Sequence, residues 1–314
     1  MLVQAAAMPT ERGREPEGRG SMIEDAVSYP CAVCEQEDPD RFRVFFDGPI
    51  KLYRCLQCGF IGQFPGPGRP QAAVNYETAY TLDFAEKHEF MYPHRGRYLH
   101  DILDRVANIR PSGRILDVGC GDGHFLSLWL KAGYECSGVE PSQALAAYAR
   151  AKTGAEVVQG LYEKSTFPEG SFDVVVMIHV LEHILRPRAA LEAARHHLRP
   201  EGLLVLDVPS VRSPHFLAYR WTGAKWFVRP PHGAIRPHYG YYEPRTLMLL
   251  AQSHGFRTIS LATGRWQHKY RGIARLGGKV LDPILNALGI GGVLYIGAKD
   301  ERSEVGHVES RRAG

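Results

Sequence analysis

The sequence predicts a seven-stranded, doubly wound α/β sheet preceded by a small four-cysteine ribbon. Three observations carry this. From Arg114 onward, short apolar runs alternate with helical patterns, the rhythm of a largely parallel sheet. The run Val174-Val175-Val176-Met177-Ile178 is apolar at every position, as in a strand covered on both faces. Upstream, Cys31-x-x-Cys34 and Cys55-x-x-Cys58 stand twenty residues apart, the spacing of a ribbon closed by one metal ion.

Taken in order, residues 1–27 carry Arg, Glu, Gly and Pro without the apolar core of a signal sequence, and they read as a disordered leader. Met8 or Met22 is a candidate for the true start. Residues 28–65 form the expected ribbon. Arg41–Phe46 and Ile50–Arg54 read as a hairpin about Asp47-Gly48. Four thiolates leave no open coordination position, so Cys31, Cys34, Cys55 and Cys58 suit a structural zinc rather than a catalytic one. Two disulfides, or pairs that hold no metal, are the alternatives. Cys120 and Cys136 read as small buried residues.

Residues 66–94 open with Gly66-Pro67-Gly68-Arg69-Pro70 and form a linker and lid segment bearing Tyr76 and Tyr80. Leu99, Ile102, Leu103 and Val106 then recur at helical spacing, in a helix that ends before Pro111. Strands are expected at Ile115–Val118, Glu135–Glu140, Glu156–Gln159, Phe172–Val180, Gly202–Val208, Phe256–Leu261 and Val293–Ala298. Helices are expected at Gly123–Ala132, Ser142–Thr153, Pro187–Leu198 and Glu243–Ser253, with another inside Gly272–Leu288. The large domain spans 95–299, and 300–314 read as a disordered tail.

At 314 residues there is room for one large domain and a small module. The net charge of +4 is modest and its cations are dispersed, which makes no strong case for nucleic acid. No apolar run is long enough to span a bilayer. Without a signal, and with cysteines patterned as reduced thiols, the expected location is cytoplasmic.

The first strand runs into Gly119-Cys120-Gly121-Asp122-Gly123, a turn of the kind that lets a nucleotide approach the backbone. Glu140 ends the second strand about twenty residues on, where a carboxylate can accept from a ribose diol. Together ILDVGCGDGHF, SGVEPS, FDVVVMIHVLEH, LRPEGLLVLDVP and SHGF resemble the class I S-adenosylmethionine-dependent methyltransferases over residues 95 to 299. Their sheet is Rossmann-like. The LEH signature resembles the subgroup of ubiquinone-type O-methyltransferases and many sugar and natural-product methyltransferases. A zinc ribbon ahead of such a domain resembles enzymes of polysaccharide and antibiotic-sugar pathways.

That resemblance implies S-adenosylmethionine as methyl donor. Asp117, Gly119, Cys120 and Gly121 would line its methionine end, with Asp117 holding the amino group. Glu140 would hold the ribose hydroxyls, and Leu161 and Tyr162 would flank the adenine. Many relatives carry Asp where this chain has Leu161, so adenine would rest on apolar packing, with Glu163 as a substitute. His179 would lie near the sulfonium.

Methyl transfer needs an aligned acceptor and, for a hydroxyl, a base. Histidine suits that task near neutral pH. His238 is the first candidate, with His179 and His183 behind it and His232 weaker. His183 also reads as a capping residue, and His179 as a wall of the cofactor pocket. The segment 211–242 is long, basic and aromatic, with Trp221, Lys225, Trp226, Phe227, Arg229, Arg236, Tyr239, Tyr241 and Tyr242. It would suit a small-molecule acceptor such as a sugar or an anionic metabolite, methylated on oxygen or carbon, or form a lid packed by its own aromatics. An RNA methyltransferase gripping nucleic acid with the ribbon is an alternative, as are a non-catalytic cofactor-binding protein and an NAD-dependent oxidoreductase.

Overall fold

The computed structural model describes residues 30–47, 51–62, 98–164, 166–212, 238–265 and 292–301. The leader, the lid segment with Tyr76 and Tyr80, His232 with residues 213–237, the helix expected within 272–288 and the tail beyond 301 lie outside the described residues.

Two sheets organise the chain. The ribbon strands are β1 (Phe42–Asp47), β2 (Lys51–Cys55) and β3 (Ile61–Gly62). The large sheet is built from β4 (Arg114–Val118), β5 (Glu135–Glu140), β6 (Glu156–Gln159), β7 (Phe172–Ile178), β8 (Leu198–Val208), β10 (Phe256–Arg265) and β11 (Gly292–Lys299). Between these last groups, β9 (Gly240–Tyr241) joins the ribbon sheet as its fourth strand. The large sheet runs β10-β11-β8-β7-β4-β5-β6. Its β6-β5-β4-β7-β8 portion is parallel, and β11 lies antiparallel between β8 and β10.

The unbroken apolar strands divide between two faces by their period of two. Val175 and Met177 of β7 join one core with Leu116, Val118, Leu204 and Leu206, and Val174 and Val176 join the other with Ile115, Leu203 and Val205. The second core is covered by α1 (residues 98–107) through Leu99, Ile102 and Val106, and by α2 (His124–Lys131) through Phe125 and Trp129. The first is covered by α4 (Pro187–His197) and α5 (Pro244–Ser253), and also by Cys31, Cys55 and Phe60 of the ribbon. Burying one such Val or Leu side chain is worth about 1.5–3 kcal/mol, so these paired layers are the main source of stability.

α3 (Gln143–Thr153) is capped by Ser142 and stopped by Gly154 in the left-handed region. Glu243 and Thr246 form a reciprocal capping box that starts α5, with Pro244 in its first turn. Several strand ends differ from expectation: β10 runs on to Arg265 rather than ending at Leu261, and two others have a local cause. β7 stops at Ile178 because His179 adopts φ 57°, which no strand continues. β8 begins at Leu198, which pairs with Phe172 ahead of a register shift.

Strand order reverses between β4 and β7: β5 and β6 lie to one side of β4, and β7 returns to the other. Ligands of open α/β sheets bind beyond the carboxyl ends of the strands at such a switch point. The glycine turn and His179 both stand there.

Candidate functional site

The turn after β4 is pinned by its neighbours. The backbone N–H groups of Gly119 and Cys120 both donate to the Val139 carbonyl, at 2.7 and 3.1 Å. Gly119, at φ 69°, comes so close to the tip of β7 that a Cβ there would lie 2.6 Å from Val180. Gly121, at φ 57°, has nothing within 4 Å of where its Cβ would be. The turn is therefore closed beneath and open above, as a backbone that receives a ligand must be.

Glu140 is buried, and its two oxygens accept from the backbone N–H groups of Gly121 and Ser142, each at 2.9 Å. An ionised carboxylate accepts at about four positions, so anchoring of this kind is compatible with a ribose diol. Asp117 is also buried, and its Oδ2 has no hydrogen-bond partner among the described residues. Burial pushes the Asp117 carboxyl up to about 8, with the charges of Glu140 and Asp122 adding to the effect. A buried acceptor of this kind fits a cationic amino group, which would restore its ionised form.

Because Asp117 holds its proton more tightly folded than unfolded, its contribution is greatest below pH 4 and is lost as pH rises towards 8. The melting temperature of the ligand-free protein should therefore fall as pH rises through that window. Asp117→Asn should flatten the dependence while weakening S-adenosylhomocysteine binding. An unchanged slope in differential scanning fluorimetry would show that Asp117 does not carry it.

At the carboxyl ends of β7 and β8, a second group of residues converges. His179 lies with Nδ1 3.3 Å from Glu182 Oε1 and Nε2 3.4 Å from Asp207 Oδ2. Tyr98 of α1 donates its hydroxyl to Asp207. Glu182 and His183 sit in the short 3-10 turn Leu181–His183. The His183 and His238 rings meet edge to face at 4.7 Å, and His238 lies 5.5 Å from the Tyr241 ring. Ligand atoms of Glu182, His183 and His238 all fall within 4.8 Å of one another.

Burial raises the cost of charging Glu182, but the His179 hydrogen bond and the charges of His179, His183 and His238 outweigh it and hold the carboxyl below its usual range. Burial and the Glu182 charge together push the Tyr241 hydroxyl up to about 12. His179, His183 and His238, three of the four histidines picked out in the sequence, thus meet around one buried, ionised carboxylate.

The four ribbon cysteines also converge, with all four sulfurs within 4.8 Å. Cys31 and Cys58 are 3.6 Å apart, and Cys34 and Cys55 3.7 Å, far beyond a disulfide bond. A tetrahedron of sulfurs around zinc has edges of about 3.8 Å. Knuckle turns present them, with Glu35 N–H donating to the Cys31 carbonyl and Gly59 N–H to the Cys55 carbonyl. Neighbouring sulfurs push the Cys31 and Cys58 thiols up and hold Cys34 and Cys55 down. So crowded a set of thiols is the donor set of a thiophilic cation.

A family model described as "Methyltransferase domain" matches residues 91–261, more than half of the chain. The chain belongs to the methyltransferase-domain family. This methyltransferase is similar to a ubiquinone biosynthesis O-methyltransferase of Xanthomonas axonopodis pv. citri, 28% identical over 177 residues that cover 54% of this chain and 73% of the relative. A protein of the same description from Xanthomonas euvesicatoria pv. vesicatoria is 27% identical over 169 residues, covering 52% and 70%. Among solved structures, a Thermotoga maritima SAM-dependent methyltransferase, described as a possible histamine N-methyltransferase, aligns with a TM-score of 0.49 at 20% identity. It covers 69% of this chain and 97% of that one. The protein is a class I S-adenosylmethionine-dependent methyltransferase, with a cysteine-built antiparallel sheet near its N-terminus.

Not every residue singled out in the methyltransferase sequence faces the turn. The Cys120 side chain is buried among Leu126, Ala146, Ala149 and Val157, where a Cβ on Gly138 would stand 2.7 Å from its sulfur. Only its backbone can touch a cofactor. Leu161 is 55% exposed, an apolar surface beyond β6. Tyr162 packs against the core, and its hydroxyl pairs with His197 Nδ1 at 2.9 Å. Asp207 and Tyr98 were not anticipated. An acid closing the apolar run Leu203–Leu206 was the available signal for Asp207, whereas nothing local ties Tyr98 to it.

Proposed function

We propose that the enzyme methylates a hydroxyl of a small-molecule acceptor, with Asp117 and Glu140 holding the donor and the histidine cluster receiving the acceptor. The observation that carries this is the meeting of His179, His183 and His238 around ionised Glu182, beside the glycine turn. S-adenosylmethionine, when bound, would supply an electrophilic methyl group. Asp117 would accept from its amino group, Glu140 would take the ribose hydroxyls and Leu161 would cover the adenine. His179, held by Glu182 and Asp207, would be the ring nearest the sulfonium. His238 removes the acceptor proton, with Glu182 stabilising the imidazolium that forms and His183 orienting the ring. The relatives named for ubiquinone O-methylation support an oxygen acceptor and the LEH subgroup. A sugar or related metabolite remains within the same chemistry.

Ribbon geometry favours a small molecule over nucleic acid. Arg54 reaches Glu243 at 3.3 Å and covers the Phe45 ring at 5.1 Å. Arg43 is turned to the backbone carbonyls of Asp40 and Phe42. Cations committed in this way are poor phosphate contacts. No helix among the described residues is long and apolar enough to cross a membrane. Unbridged thiols suit the reducing cytoplasm.

The four cysteines hold one structural zinc in this reading, within a ribbon spanning about residues 28–65 ahead of the catalytic domain. Purified protein should carry one zinc per chain by elemental analysis. Cys34→Ser should lose it and lower the melting temperature by several degrees, since structural zinc contributes folding free energy directly. A metal-free wild-type protein of equal stability would exclude that role. For the function itself, S-adenosylmethionine turnover on a panel of phenolic and sugar hydroxyls, with tRNA as comparison, tests the acceptor class. Activity on tRNA alone would overturn it.

A further inference from the structure

The ribbon sheet is completed by a strand from the catalytic domain. β3 pairs antiparallel with β9, Ile61 opposite Tyr241 and Gly62 opposite Gly240. Val211, just beyond β8, is buried against Leu52 and Ile61 of the ribbon, with Tyr241 packed on the same group. The Phe60 ring lies 5.2 Å from that of Tyr242, which is wholly buried in the apolar cluster that includes Cys31, Cys55 and Cys58. Arg54 reaches Glu243, the residue that caps α5.

β9 also meets the histidine cluster. The Tyr239 N–H donates to the Glu182 carbonyl at 2.7 Å, and His238 sits between His183 and Tyr241. A two-residue strand pairing is too short to persist alone. It gains permanence from a partner that is itself rigid, and a ribbon drawn together at four cysteines is rigid at β2 and β3. The donor side is held differently: Asp117, Gly121 and Glu140 are fixed by β4, β5 and the Ser142 cap.

We propose that the ribbon is a positioning module for the acceptor side: through β3–β9 pairing it holds His238 and Tyr241 against Glu182 and His183, and it leaves the cofactor side untouched. This rests on the reading of the histidine cluster as the acceptor side. It makes Phe60 and Gly62 positioning residues, acting through β9.

Gly62→Ala tests it without touching a thiol. A Cβ there would stand 2.7 Å from the Tyr239 carbonyl oxygen and 2.8 Å from the Phe60 ring, so β9 must move away from β3. In the full-length variant, zinc content should stay at the wild-type level and S-adenosylhomocysteine affinity within twofold by calorimetry. Amide exchange at Tyr239 and Tyr241 should accelerate at least tenfold. The His238 ring resonances, assigned with His238→Gln, should lose the displacement caused by the His183 and Tyr241 rings. Phe60→Leu, a milder change, should move the same signals in the same direction, as should chelation of the wild-type zinc.

Unchanged exchange and His238 resonances in both variants would overturn the proposal. So would a loss of S-adenosylhomocysteine binding in parallel with them, which would mark the ribbon as a brace for the whole fold. Failure of the wild-type protein to bind S-adenosylhomocysteine would instead strike the functional reading, and the two failures are thereby separable.

Discussion

Glu140→Ala should weaken S-adenosylhomocysteine binding by about a hundredfold or more. Two charge-assisted hydrogen bonds to a ribose diol are worth about 1.5–3 kcal/mol each, and about 1.4 kcal/mol is tenfold in affinity. A second loss compounds the first. The same carboxylate receives the N–H groups of Gly121 and Ser142, so its removal also frees the turn that must lie against the ligand. Glu140→Gln should fall between: one carbonyl oxygen still accepts, while the amide nitrogen faces a backbone donor. Calorimetry on both variants checks the order. Equal affinity for wild type and Glu140→Ala would mean that the ribose lies elsewhere.

His238→Ala should lower kcat by about a hundredfold to ten-thousandfold on an acceptor that supports turnover, the span typical of a lost general base. S-adenosylhomocysteine affinity should hold, because Asp117, Gly121 and Glu140 are positioned by β4, β5 and the Ser142 cap rather than by β9. Glu182→Gln should reduce kcat as well. Its carboxyl is held below the usual range by the His179 hydrogen bond and the surrounding imidazoles, so it remains charged through neutral pH and favours a cationic ring. The neutral amide removes that support. A His238→Ala enzyme with full turnover would move the role of base to His183 or His179, and full turnover in each single variant would remove the base from this cluster.

These expectations combine features that the sequence made legible with others that it did not. All seven strands of the large sheet were legible: burial on both faces writes long apolar runs into β7, β8 and β11, and glycines and capping residues punctuate the helices that set off the other strands. The glycine turn and Glu140 were legible for the same reason: both ends of that contact are local motifs. The convergence of His179, His183 and His238 was only half visible. His179 and His183 share one signature, but His238 reaches them through β9, a two-residue strand whose partner lies in the ribbon. No local pattern records a pairing between residues so far apart. The Tyr98–Asp207 bond is hidden for the same reason. Cys120 shows a third kind of blindness. Its place in the glycine turn was plain, yet the direction of its side chain depends on the room left by Gly138 in the neighbouring strand.

Donor and acceptor sides are expected to meet at the tips of β4, β7 and β8, with the transferred methyl beside His179. Nuclear Overhauser contacts from S-adenosylmethionine carrying a 13C-labelled methyl, bound to the full-length enzyme, test this most directly. Contacts from the methyl protons to the His179 ring are expected. Contacts confined to residues around Asp122 and His124, with none to His179, would contradict it.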